Sequence, residues 1–179
     1  MNDILNTPVL SDTEKDTAVA AVGRVIDRLQ EFGAFRSDAT GADLPRIFEE
    51  VHMSNKMRHP DRAEDFLLMD TLVEVTQHVL NGYHSMRVNL GNDPWGFAIR
   101  VSEDLGRDVT SDDLIGMLEA CGPEFKIVNE IMATTIQRAT EKVAAQAQAQ
   151  AQQKREDDEI IFHLEGFFKD PTTDPTTNQ

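Results

Sequence analysis

The sequence predicts an all-α protein: an irregular helical bundle, a long C-terminal helix and a disordered tail. Three observations carry this. Apolar residues recur at three- and four-residue spacing along most of the chain. Caps and breakers punctuate the helical stretches, and no stretch sustains the two-residue alternation of β-branched and polar side chains that marks a half-buried strand. The 179 residues are 40% hydrophobic and 27% charged, a globular balance. Aromatic residues make up only 6%, so the core rests on aliphatic side chains and nine Phe.

Residues 1–10 read as a flexible N-terminus, and residues 11–122 as the bundle. The first helix starts at Ser11-Asp12-Thr13-Glu14, a capping box in which the serine hydroxyl accepts from the third helical N–H and Glu14 reaches back. Ala18, Val22, Val25, Ile26, Leu29 and Phe32 follow at helical spacing, and Gly33 supplies the stop. Asp43 and Pro45 open a second helix, which ends before His59-Pro60. Asp61 to Asn81 has a wide apolar face suited to packing against more than one neighbour, and Asn81-Gly82 is its expected end. Tyr83 to Leu90 reads either as a further helical turn or as a short extended piece. Asp93 then caps a short helix with Pro94 in first position, closed by Leu105-Gly106. Thr110-Ser111-Asp112-Asp113 starts the next helix, with Cys121-Gly122 as its expected end.

From Pro123 a long helix is expected to 153. Its face is Phe125, Val128, Met132, Ile136, Ala139 and Val143, giving way to an alternating Ala-Gln stretch of good helix formers. Residues 154–169 combine a charged spacer, Lys154 to Glu159, with a compact apolar cluster. Residues 170–179 repeat Asp-Pro-Thr-Thr and hold no apolar side chain, the composition of a disordered tail.

The formal net charge is −15, and no third of the chain is basic: residues 61–122 carry 12 acids against 4 bases. A chain so charged lacks the cations that neutralise a run of phosphates, so direct nucleic-acid binding is not expected. The single cysteine, Cys121, forms no intrachain disulfide and reads as a small buried apolar side chain. The N-terminus lacks a signal-peptide pattern, and no apolar run approaches the ~20 residues of a membrane span. The expected location is cytoplasmic, with no membrane partner.

Chemistry-bearing motifs are incomplete. Glu49-x-x-His52 has the spacing of a di-iron helix, with Asp70, Glu74 and His78 as the nearest further ligands, but no second Glu-x-x-His exists. Ser102 to Asp113 can be laid onto a calcium loop only with Arg107 where glycine is required, so Asp113 reads as a helix cap. No nucleophile elbow and no phosphate-cradling loop is present. Asp61, Glu64 and Asp65 begin the acidic pattern of all-α nucleotide pyrophosphohydrolases, but Leu67 and Leu68 interrupt it. The expectation is therefore a non-enzyme with no metal and no cofactor.

The C-terminal cluster is the most informative feature. Helical spacing brings Ile160, Leu164, Phe167 and Phe168 to one face with Ile161 beside it, and such a face needs a cover. It can fold back on its own domain, lie in a partner's groove, or close a coiled coil between copies of the chain. The functional expectation is a protein-interaction or assembly factor, adaptor- or chaperone-like, whose contact residues are Ile160, Ile161, Leu164, Phe167 and Phe168. The alternatives are an acidic inhibitor that mimics nucleic acid and an all-α metal-dependent nucleotide hydrolase.

Overall fold

In the computed structural model the described residues are 2–33 and 39–168, with side chains described over 4–33 and 39–162. They form six α-helices and no strand: α1 (Asn2–Asn6), α2 (Asp12–Glu31), α3 (Leu44–Arg58), α4 (Glu64–Asn92), α5 (Pro94–Leu105) and α6 (Ser111–Phe168), with a short 3-10 turn over Gly41–Asp43. The all-α bundle and the long C-terminal helix are therefore observed. The tail beyond 169 lies outside the described residues.

The chain divides into two compact units, Pro8–Ala139 and Met1–Thr7 with Thr140–Gln179. In the larger unit, α2 is the hub. Its Ala18, Val22, Val25 and Leu29 are buried against Phe48 of α3, Leu72 and Val79 of α4, and Leu114, Cys121 and Val128 of α6. The capping box at its start is complete: the Glu14 N–H donates to Ser11 Oγ at 3.3 Å and the Ser11 N–H donates to the Glu14 carboxylate at 3.1 Å. The same carboxylate accepts from Arg138 Nη1 at 2.7 Å, tying the start of α2 to a residue 124 positions away. Farther along α2, Arg24 grips Glu124 with two hydrogen bonds, of 2.9 and 2.8 Å. Glu124 is buried, and these bonds hold its carboxyl below the usual range despite the opposing effect of burial.

Local signals hold at most helix ends. Asp93 caps α5 by accepting from the Gly96 N–H at 2.9 Å, and Pro94 takes the first position. Gly106 ends α5 in the left-handed region (φ 64), where glycine meets no Cβ penalty. At the start of α6 a capping box forms: Thr110 Oγ1 accepts from the Asp113 N–H at 3.1 Å, and the Asp113 carboxylate reaches back to accept from the Thr110 N–H at 2.8 Å. Cys121 is fully buried, and burial pushes its thiol up from the usual value.

Two expected helix ends are corrected. Asn81-Gly82 does not end α4, which runs on to Asn92 and makes Tyr83 to Leu90 helical. An interior glycine costs a helix about 1 kcal/mol. Burying Met86 and Leu90 in the core returns roughly 1.5–3 kcal/mol each, and Tyr83 meets Phe125 edge-on at 4.8 Å. Nor does Cys121-Gly122 end a helix, because Pro123 lies inside α6. A proline there removes a ladder hydrogen bond. Arg28 Nη1 donates to the Ala120 carbonyl in the turn just before it, and the buried Cys121, Glu124 and Val128 hold both sides of it to α2 and its neighbours. The helix α4 also starts at Glu64, not Asp61.

In the smaller unit, Ile4 and Leu5 of α1 line a shallow groove with Glu141, Ala144, Ala145, Gln148, Ala149 and Gln152 of α6. Lys142 Nζ donates to the Thr7 carbonyl at 3.2 Å.

Candidate functional site

Three places in the described residues could carry function, and they differ in how completely the chain satisfies its own groups.

The first is a polar junction between α3 and α4. The helical spacing of α3 turns His52 and Asn55 inward, where both are buried beside the fully buried Thr71 of α4. His52 Nε2 lies 2.8 Å from Glu64 Oε1, and its Nδ1 lies 3.3 Å from Thr71 Oγ1. Asn55 Nδ2 donates to Thr71 Oγ1 at 3.2 Å and to Glu74 Oε2 at 3.1 Å, and its carbonyl accepts from Arg58 at 2.7 Å. The Thr71 hydroxyl donates to the Leu67 carbonyl. Hydrogen bonds from His52 and then Lys56 hold the Glu64 carboxyl below its usual range.

The motif residues weighed in the sequence are thus distributed. Glu49 faces Lys15 at 3.8 Å, Asp70 pairs with Arg62, and Glu74 with Arg58 and Asn55. Among the described residues no group of three His, Cys, Asp or Glu side chains is placed to hold an ion. The junction joins two helices through satisfied polar groups.

The second place is a groove of about 740 Å³ beside α2, α3 and α4. Its wall is mainly apolar, with Ile26, Leu44, Ile47, Val51 and Val73, and Asp70, Gln77, His78 and Asn81 add polar groups. Ala39 closes one side; residues 34–38, next to it in sequence, lie outside the described residues.

The third is the end of α6. From 146 to 162 every side chain is exposed. Ile160 keeps 57% and Ile161 54% of its surface in water. The helix continues through Phe168, so the backbone keeps the expected contact residues in one helical register. The side chains of Leu164, Phe167 and Phe168 lie outside the described residues. Phe162, at 75% exposure, is not among the contact residues deduced by spacing.

One exposed pair escaped the sequence reading. Trp95 is 78% exposed on α5, and Ile99, one turn on, is also exposed. Tryptophan is the residue type most over-represented at interface anchors. The Asp93 cap sets the register of α5, so the pair was legible as two apolar side chains four residues apart. Which face α5 buries depends on its distant partners and was not.

No helix among the described residues is long and apolar enough to cross a membrane. Comparison with protein-family models, curated proteins and solved structures finds no match to this chain.

Proposed function

We propose that the chain is a non-catalytic protein-interaction or assembly factor, adaptor- or chaperone-like, that engages its partner through the apolar face at the end of α6. The observation that carries this reading is the exposure of Ile160 and Ile161 on a helical stretch that buries no side chain from 146 to 162. Fully burying a side chain of this size is worth roughly 1.5–3 kcal/mol, so a paired cover over this face is a substantial driving force for association. A helix with such a face fits the helix-in-groove and helix-on-helix modes of recognition. The charged spacer before it contributes solubility and no apolar grip.

The test is the double substitution Ile160→Glu with Ile161→Glu in the full chain. Both side chains are already exposed, so the melting temperature should stay within about 2 °C of the parent, as for surface substitutions in general. Association, read as mass in solution with and without native extract, should be lost. A variant that keeps every association of the parent would rule the contact face out.

A further inference from the structure

We propose that the partner of this face is a second copy of the chain, and that residues 140–168 of two copies pair as an antiparallel two-stranded coiled coil. The inference rests on the contact reading above and names its partner.

Helix α6 is unbroken across this stretch, about four heptads or about 43 Å of helix. One heptad register places Val143, Ala147, Ile161, Leu164 and Phe168 in its seam together with the polar Thr140, Gln150, Lys154 and Asp157. Positions 140, 147, 154, 161 and 168 form one seam row, and positions 143, 150, 157 and 164 form the other. Val143, Ala147, Gln150, Lys154, Asp157 and Ile161 are all exposed. The chain's own α1 takes the other side of the helix: the α6 residues that line its groove include 141, 145, 148, 149 and 152, and none is a seam position. The seam is therefore left open by the only other helix of this unit among the described residues.

Charge and volume decide the direction. In an antiparallel pair each residue of one row faces a residue of the other row on the partner. With the two-fold axis midway between 155 and 156, Lys154 faces Asp157 of the second copy, and by symmetry Asp157 faces its Lys154. Gln150 faces Ile161. The sequence continues the same pairing with Ala147 opposite Leu164 and Val143 opposite Phe168. Every layer outside the charged centre thus matches a bulky residue with a smaller or more flexible one. A parallel, in-register pair would instead set Lys154 on Lys154, Asp157 on Asp157 and Ala147 on Ala147. That leaves two like-charge layers and one underfilled layer, all unfavourable. Within its own chain Asp157 accepts from Gln153 Nε2 at 3.0 Å, and a carboxylate keeps further lone pairs for a lysine of the second copy.

Light scattering and sedimentation of the full chain test this. The parent should show twice the 20.0 kDa chain mass. Lys154→Glu and Asp157→Lys, each alone, should weaken the dimer by about tenfold or more, because each puts like charges face to face at two symmetric places. The two together restore opposite charges and should return the affinity to within about threefold of the parent, as a double-mutant cycle requires of a direct pair. In a second arm, Gln150→Cys with Ile161→Cys should crosslink two chains on oxidation. Ile161→Cys alone should not, and crosslinking by that single variant would show a parallel pair and overturn the arrangement. A parent that stays monomeric at about 100 μM, or a double charge swap that fails to rescue, also overturns the self-pairing. Those results leave the contact reading standing, because that reading is tested separately, by the Ile160/Ile161 variant and by truncation.

Discussion

Gly41→Ala is expected to destabilise the protein by about 2–3 kcal/mol and to lower its melting temperature by about 5–10 °C. The 3-10 turn at Gly41 crosses α2 at Gly23 with backbone against backbone. A Cβ on Gly41 would overlap the Gly23 carbonyl oxygen and come within 2.6 Å of Asp27 Oδ2, while a Cβ on Gly23 would lie 2.9 Å from the Gly41 carbonyl oxygen. Asp27 Oδ1 also accepts from the Gly41 N–H at 2.6 Å, so the turn cannot retreat without losing that bond. Gly23 gives the sharper sign. In an isolated helix, alanine for an interior glycine stabilises by about 1 kcal/mol. Here the backbone overlap costs more than that gain, so Gly23→Ala should also lower the melting temperature. A rise in either variant would show that the helix and the turn do not approach this closely.

The second large effect is acid sensitivity centred on Glu14. The hydrogen bond from Arg138 is the main cause that lowers this carboxyl from 4.5 to about 2, with bonds from Ser11 adding to it and burial opposing. The folded value lies below the unfolded one, so the unfolded chain binds the proton more tightly, and stability rises with pH across the range between the two values. The contribution is fully present above about pH 4.5 and is lost as the pH falls toward 2. A difference of that size corresponds to at most about 3 kcal/mol, and screening reduces it because a quarter of the Glu14 side chain is exposed. Glu124, held low by Arg24, adds acid lability of the same sign. Arg138→Met should therefore cost about 2 kcal/mol at pH 7, and less than half of that at pH 3, measured by urea unfolding at each pH. A cost that does not change with pH would mean that Arg138 acts through packing alone.

These features mark where sequence reasoning stops. The Ser11–Glu14 box, the Asp93-Pro94 start, Gly106 and the Thr110–Asp113 cap were legible because each is settled by residues within one helical turn. Asn81-Gly82 and Gly122-Pro123 misled because local breakers compete with burial that arrives from elsewhere, through Met86, Leu90 and Val128. The Gly23–Gly41 crossing, the Arg24–Glu124 pair and the Arg138–Glu14 pair join positions far apart in the chain, and no spacing rule reaches them. The candidate face was legible in part. Periodicity brought Ile160 and Ile161 together and the structure leaves them exposed, whereas the exposure of Trp95 and Ile99 depends on which face α5 buries against distant partners and escaped it.

The contact reading is tested most directly by truncation after Gln153. The core of the larger unit lies within Pro8–Ala139, and no side chain from 154 to 162 is buried. The truncated chain should therefore melt within about 3 °C of the full chain, since every side chain described over 154–162 is exposed. Its association, read as mass in solution alone and with native extract, should disappear. A truncated chain that unfolds, or melts far lower, would make residues 154–168 part of the core packing and contradict the account.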